Sequence, residues 1–411
     1  MTAAATSPTG MAPAPGGRRR LLLGVGDDID RHARTHGPRR LHGPAVIDEI
    51  ARSGLTGRGG AAFPVATKLA TARDAMTRGR RSVVVANAAE GEPLSRKDAV
   101  LVHEAPHLVL DGLAAVASAV GATETYLYVP AGAATRLRAV IATRAARGWD
   151  HAVPTVVEAP DRFVAGETTA VVDRIAGGAG LPHDRRVPTA ADGLRGRPTV
   201  VHNVETLAHV ALVDRHGADW FRERGTRSEP GSMLVTVSDD GGIRGVAECD
   251  LGAPLASLVD PDARAVLVGG FHGTWVDGRE VGSLALSARS LRAVGAAPGA
   301  GIVRSLGAGS CGLRATADIA DHLAAESAGQ CGPCVFGLPA LASAIRDLVT
   351  HGGADRAEKV ARLAATVDGR GACAHPDGTA RLVRSALTVF ADDIHHHAAG
   401  RCAARTSGGH R

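Results

Sequence analysis

Cys331-Gly332-Pro333-Cys334 sets two thiols at C-x-x-C spacing, and Cys373 supplies a third further along. Two thiolates so spaced can grip one metal centre, and a distant third can close around it, as cysteines do in iron–sulfur proteins. The pair alone also suits half a zinc site or a redox dithiol. No second C-x-x-C exists, which argues against a zinc site of four cysteines. The remaining thiols, Cys249, Cys311 and Cys402, read as small buried side chains. With six cysteines in 411 residues, a disulfide framework is not expected.

Four further segments carry polar chemistry. Gly57-Arg58-Gly59-Gly60-Ala61-Ala62-Phe63-Pro64 is followed by Lys68. Closely spaced glycines let backbone amides converge on an anion such as phosphate, and the lysine adds a positive charge. The run fits neither the dinucleotide G-x-G-x-x-G nor the P-loop. Asn87-Ala88-Ala89-Glu90-Gly91-Glu92-Pro93 directly follows a short apolar strand, where α/β proteins gather ligands. Gly166-Glu167-Thr168-Thr169-Ala170 and His202-Asn203-Val204-Glu205-Thr206 each read, taken alone, as capped helix starts. His395, His396 and His397 are adjacent, so on a helix they face different directions and make a poor joint metal site.

These segments need elements to position them. Ser82–Ala86 reads as a buried strand, His107–Val120 as a helix and Tyr126–Val129 as the next strand. That alternation argues for a Rossmann-like α/β layer over residues 18–225. Residues 230–305 read as a small α+β module, with strands at Met233–Val237 and Ala265–Val268 and a short helix from Pro254 to Val259. Residues 312–400 read as mostly helical: Leu338, Leu341, Ile345 and Leu348 recur at three- and four-residue steps. Residues 1–17 read as a disordered tail. No internal repeat is visible.

The composition limits the class. At 45% hydrophobic and 22% charged residues the chain is not wholly disordered. Its 47 basic and 42 acidic side chains give a net charge of +5. Aromatics are 3%, and no basic run interleaves with them, so nucleic-acid binding through base stacking is not expected. Only Lys68, Lys97 and Lys359 are lysines; every other basic residue is arginine. No signal peptide is expected, and glycines and prolines between Ser327 and Ile345 argue against a membrane span. The expected location is the cytoplasm.

Taken together, in this order and spacing, the five segments resemble the NADH-binding flavoprotein subunit of respiratory complex I. Matching subunits of NAD-reducing hydrogenases and formate dehydrogenases share the resemblance, which runs from about residue 50 to 398. It implies an α/β FMN-binding domain, a ubiquitin-like SLBB module and a helical domain carrying an iron–sulfur cluster. It implies FMN contacts from Gly57, Arg58, Gly59, Gly60, Lys68, Asn87, Glu90, Gly166, Glu167, His202 and Asn203. It places Glu92 beside the nicotinamide of NAD(H), Phe63 and Arg185 on the nucleotide, and Cys331, Cys334 and Cys373 on the cluster. The implied activity is NAD(P)H oxidation through FMN and the cluster to a small iron–sulfur carrier, a ferredoxin or a thioredoxin-like 2Fe-2S subunit. Among its departures, Ala62 replaces a glycine, Leu69 and Pro188 replace aromatics, and Ala328 replaces the first cluster cysteine. Three thiolates leave a [4Fe–4S] site short of one ligand. Ser327, His375, water or a partner's ligand would complete it; a three-iron cluster, or none, are the alternatives. Two other readings stay open: an FMN/iron–sulfur relay that no longer uses NADH, and a non-catalytic binding module built on the SLBB region.

Overall fold

The computed structural model describes residues 19–40, 43–76, 79–184, 187–402 and 404. The tail expected over residues 1–17 lies outside them, as does Arg185. The chain divides into two compact units. The first holds residues up to Gly91, Ser95–Val235 and Gly245–Gly252; the second holds Glu92–Leu94, Thr236–Arg244 and the chain from Ala253 onward.

The first unit begins with three helices, α1 (Ile29–His36), α2 (Ala45–Ser53) and α3 (Val65–Met76). Strand β1 (Val83–Asn87) follows, then α4 (Lys97–Glu104), α5 (Pro106–Ala119), β2 (Glu124–Pro130), α6 (Ala131–Ala146) and β3 (Thr155–Ala159). Next come α7 (Thr168–Ile175), β4 (Thr199–Asn203), α8 (Val204–His216) and α9 (Ala218–Arg222). The strands form a parallel sheet in the order β3-β2-β1-β4. Every residue of β1 is buried, as expected for the middle of a parallel sheet covered on both faces. Val84 and Ala86 join the larger core with Leu113, Val116 and Leu207, while Val83 and Val85 pack with Tyr128 and Val171. Helices α5 and α8 meet where Gly112 lies flush on the neighbouring backbone. A Cβ there would stand 1.8 Å from the Leu207 carbonyl, so no larger residue fits.

A buried ion cluster ties these helices together. Asp111 on α5 accepts from His32 Nε2 at 2.6 Å, Arg144 Nη2 at 2.7 Å and Trp149 Nε1 at 3.2 Å, and also from Arg215 Nη2. Those partners belong to α1, α6, the turn after α6, and α8. Burial opposes the charge on Asp111, but His32, Arg144 and Arg215 hold its pKa well below the ordinary carboxylate range.

The strand order matters for function. From β1 the chain crosses to β2 on one side, whereas β4 lies on the other. In parallel sheets such a reversal opens a crevice at the carboxyl ends of the two strands flanking it.

Two long strands, β5 (Ser232–Asp239) and β6 (Gly242–Asp250), precede β7 (Ala265–Val268), β8 (Thr274–Asp277), α10 (Ala288–Leu291) and β9 (Ile302–Leu306). Their sheet runs β6-β5-β9-β7-β8, with β5 parallel to β9, and β7 antiparallel to both β8 and β9. The fold is thus mixed α/β, with one parallel and one mixed sheet. The helix expected from Pro254 is shorter, a 3-10 turn over Leu255–Leu258 with Pro254 as its N-cap.

Five helices follow: α11 (Gly312–Ala325), α12 (Leu338–His351), α13 (Ala354–Val367), α14 (His375–Val389) and α15 (Ala391–Ala398). Leu338, Leu341, Ile345 and Leu348 are buried, giving α12 the inward face its spacing predicts. One expectation is corrected here. The chain is non-helical from Ser327 to Cys331, with Gly329 at φ +64°, but Pro333, Gly337 and Pro339 do not break the helix that follows, because a π-helical turn over Pro333–Gly337 runs straight into α12. Among the described residues the combined helix Pro333–His351 therefore has the length and apolar composition to cross a membrane. Its inward apolar stripe is also the pattern of a core helix in a bundle.

Candidate functional site

The polar segments of the first unit converge at the carboxyl ends of β1 and β4. The parallel register sets Asn87 opposite Asn203, and Ala86 opposite His202. Asn87 Nδ2 donates to the Gly166 carbonyl at 2.9 Å, and its Oδ1 accepts from the Ala89 amide at 3.0 Å. One side chain thus fixes both the loop after β1 and the loop before α7. The glycine run closes over the same place: a Cβ on Gly59 would stand 3.1 Å from Asn203 Cβ. Residues Gly59 to Phe63 are exposed, so this face opens to solvent.

Helix termini account for part of the pattern. Glu167 is the N-cap of α7, accepting from the amides of Thr169 at 2.7 Å and Ala170 at 3.1 Å. Asn203 is the N-cap of α8, accepting from the Glu205 amide at 3.0 Å. The capped-start reading of both segments therefore holds. It does not compete with a ligand site, because helix N-termini also present amides to anions.

Lys68 carries the most suggestive charge. Its Nζ donates to the Val201 carbonyl at 3.1 Å. Among the described residues it has no carboxylate within ion-pair range, and burial lowers its pKa. Beside it, His202 is buried with Nε2 unpartnered, and burial, then the Lys68 charge, push its pKa well below the ordinary value. An unpaired cation and spare amide hydrogens on Asn87 and Asn203 make this end rich in donors. That donor set fits a ligand bearing a phosphate and ring carbonyls, as FMN does.

Other expected contacts are used differently. Arg58 turns inward, donating from Nε to the Ser232 carbonyl at 3.1 Å and from Nη1 to Thr56 Oγ1 at 2.8 Å. Glu90 caps α4, accepting from the amides of Asp98 at 3.1 Å and Ala99 at 3.2 Å, and from the Ser95 hydroxyl. Leu69 is fully buried in the core. Phe63 stays half exposed, a free aromatic face. Glu92 belongs to the second unit, where its Oε2 accepts from the Phe271 amide at 2.7 Å.

Sequence reasoning missed Lys97 and Asp98. Lys97 is buried, with Nζ 2.7 Å from Asp98 Oδ1, 3.0 Å from Glu205 Oε2 and 3.3 Å from Asn203 Oδ1. Asp98 Oδ2 in turn accepts from Asn203 Nδ2 at 2.6 Å. The network locks Asn203 in one orientation. One lysine faces several carboxylates, so they titrate apart. Burial pushes Asp98 up to about 7, whereas the charge of Lys97 draws Glu205 down to about 2 against its burial. The rarity of lysine in this chain was the available signal.

In the second unit, Cys334 sits buried on the π-helical turn, with Cys331 and Cys373 half-buried. Such turns recur at functional sites. Burial raises the Cys331 pKa, but the amides of Ala372 and Cys334 and the Cys334 side chain outweigh it and lower the thiol. Burial and the neighbouring Cys331 and Cys373 thiols push Cys334 up to about 11. The three sulfurs therefore share one neighbourhood lined by backbone amides, which fits a cluster held by three cysteines. His375 is not placed to supply the fourth ligand. Its Nε2 donates to the Leu323 carbonyl at 2.7 Å and its Nδ1 faces His272 Nε2 at 3.1 Å, so both ring nitrogens are engaged. Cys311 is equally excluded. It stands at the start of α11, a 14-residue helix about 21 Å long whose other end leads to the segment that carries Cys331 and Cys334.

Comparison with known proteins agrees with this division. Residues 50–212 match the family model for the Nuo51 FMN-binding domain. Residues 314–397 match that for the NADH-ubiquinone oxidoreductase-F iron-sulfur binding region. The chain is 30% identical over 400 residues to the F subunit of NADH-quinone oxidoreductase from Streptomyces coelicolor, covering 91% of this chain and 88% of that one. It is 31% identical over 312 residues to the alpha subunit of NAD-reducing hydrogenase HoxS of Cupriavidus necator, covering 71% of this chain and 50% of that one. The crystal structure of an NAD+-reducing [NiFe]-hydrogenase in its air-oxidized state superposes with a TM-score of 0.78 at 27% identity. The match covers 87% of this chain and 62% of the hydrogenase chain.

Proposed function

The chain belongs to the family of NADH-quinone oxidoreductase F subunits, and from that premise we propose which of its residues carry the family's chemistry. The activity is NADH oxidation, with electrons passing through FMN and an iron–sulfur cluster to a protein acceptor. When bound, FMN would supply hydride acceptance and the cluster single-electron transfer, which together would join two-electron to one-electron chemistry.

The chain's own residues position these groups. Lys68 and the amides of Gly57, Gly59 and Gly60 hold the phosphate. Asn87 and Asn203 direct their remaining amide hydrogens at the ring and ribityl chain, with Gly166 and His202 beside them. Glu90, Glu167, Lys97 and Asp98 are positioning residues, fixing the loops and the Asn203 rotamer. Arg58 supports the glycine loop from within. Phe63 and Arg185 contact the nucleotide, and Glu92 orients the nicotinamide. Cys331, Cys334 and Cys373 hold the cluster near the surface. A small iron–sulfur protein, a ferredoxin or a thioredoxin-like 2Fe-2S subunit, then collects the electrons. Residues 18–225 form the FMN domain, 230–305 an SLBB-type module and 312–400 the cluster domain. We place the protein in the reducing cytoplasm, where cysteines persist as thiols and can serve as cluster ligands.

The observation that carries this reading is the convergence of Gly59, Asn87, Lys68 and Asn203 at the reversal between β1 and β4. Its test is NADH-dependent reduction of ferricyanide by protein containing one FMN. Turnover that requires FMN supports the reading, and FMN-loaded protein inert to NADH overturns it. One observation favours the relay reading as an alternative. Leu69 is fully buried where the resembling family has an aromatic, so no ring stacks on a nucleotide from that position.

A further inference from the structure

Three residues that the electron path leaves aside come together at the far end of α11. Cys311 is the residue before that helix, buried, and its side chain makes no capping bond. His397 lies on the last turn of α15, and Cys402 follows shortly after. The chain turns back between them, with Gly400 at φ +66° and its amide donating to the His397 carbonyl at 3.0 Å. Of the three adjacent histidines, His397 is the buried one. Its Nε2 lies 3.5 Å from Cys311 Sγ, and the ligand atoms of Cys311, His397 and Cys402 all lie within 4.8 Å of one another.

We propose that Cys311, His397 and Cys402 form a mononuclear site for a zinc-class divalent cation, separate from the iron–sulfur cysteines. Four features support it. A tetrahedral zinc ion bound to one sulfur and one imidazole nitrogen sets them about 3.6 Å apart, given Zn–S near 2.3 Å and Zn–N near 2.0–2.1 Å. The observed 3.5 Å matches that edge. Second, His397 Nδ1 is bonded to the Val349 carbonyl. The carbonyl can only accept, so Nδ1 carries the proton and the Nε2 lone pair faces the sulfurs. This is the outer-shell arrangement of metal-bound histidines. Third, Asp393 stands four residues before His397 on α15, one turn away on the same face. It is 1% exposed, and its Oδ2 has no hydrogen-bond partner, while Oδ1 is held by Arg264 Nη2 at 2.9 Å. A water supplies the fourth position, within the field of the buried Asp393 carboxylate, which acts on the Cys311 thiol. Fourth, two thiolates and a neutral imidazole balance a divalent charge, and a mixed sulfur and nitrogen set favours zinc over magnesium or calcium. The site joins the start of α11, the end of α15 and, through Val349, helix α12.

The test uses the full-length holoprotein. Purified protein is analysed for zinc and iron together, and separately loaded with Co2+ as a spectroscopic probe. The expected result is one zinc per chain. Co2+ adds a thiolate charge-transfer band in the near ultraviolet and tetrahedral ligand-field bands in the visible. Cys402→Ser, a half-buried position near the chain end, and His397→Gln should each remove zinc and those bands while iron and flavin contents stay unchanged. Wild-type protein that takes up neither zinc nor Co2+ overturns the proposal. So does a Cys311–Cys402 disulfide recovered under anaerobic, metal-replete conditions, or zinc retained in both variants.

Discussion

Asn87 and Asn203 face each other across adjacent parallel strands, at the last residue of β1 and the last of β4. The protein holds each at Oδ1 and at one Nδ2 hydrogen, which leaves the second amide hydrogen for a ligand. The pair marks the reversal of strand order, the place where an open α/β sheet can admit a ligand between two diverging loops.

Lys68 should distinguish FMN from riboflavin, because the phosphate is the anion it lacks. Lys68→Met is expected to weaken FMN binding roughly 10- to 100-fold, the worth of one charge-assisted hydrogen bond. Riboflavin binding should change little. Fluorescence titration of apoprotein with both flavins checks this, and equal losses for the two would place Lys68 away from the phosphate.

Ala62 adopts φ +49°, in the left-handed region where an L residue is strained. The resembling family has glycine at this position. Ala62→Gly should stabilise the loop by about 1 kcal/mol, less whatever the unfolded chain gains in freedom. A rise in Tm of a few degrees with unchanged flavin content is expected. A fall in Tm would show that the alanine methyl makes contacts worth more than the strain.

Ala328 stands where the resembling cluster motif has a cysteine. Ala328→Cys is expected to convert the iron content and the paramagnetic signature to those of a four-cysteine [4Fe–4S] cluster, read by iron assay and low-temperature EPR. Cys334→Ser should lose most of the iron. An unchanged signature in Ala328→Cys would mean that another group already serves the fourth iron.

Acid should unfold the first unit in two stages. Burial, then His32 and Arg215, lower His36 to about 4, below the value near 6.5 of an unfolded chain. The unfolded state therefore takes up that proton first, and stability present above pH 6.5 is lost as pH falls toward 4. Asp111 is held well below the ordinary carboxylate value, so its contribution is intact above about pH 4 and is lost below it. Asp111→Ala strands three buried partners and should cost about 3–5 kcal/mol at neutral pH. Urea titrations between pH 3 and 8 check both; a flat profile, or a mild Asp111→Ala, would contradict the cluster's structural role.

Much of the frame was legible in the sequence. The apolar run Val83–Ala86 and the stripe from Leu338 to Leu348 state their periods directly, and both form the elements expected. Motif order also located the segments that converge on β1 and β4. What the sequence hid depends on contacts distant along the chain. Glu90 and Arg58 have side-chain types that suit a ligand, yet the first caps α4 and the second turns into the protein. Cys311 and Cys402 are 91 positions apart, with only the fold to bring them beside His397. Pro333 looked like a helix breaker because a π turn has no simple sequence period.

The most direct measurement is the anaerobic absorbance spectrum of purified protein before and after NADH, paired with iron and sulfide assay. The account predicts flavin bands over broad iron–sulfur absorbance, with both bleaching on NADH. Flavin that ignores NADH but bleaches with dithionite would contradict NADH oxidation and move the chain to the relay reading. A colourless protein would contradict the cofactor assignments altogether.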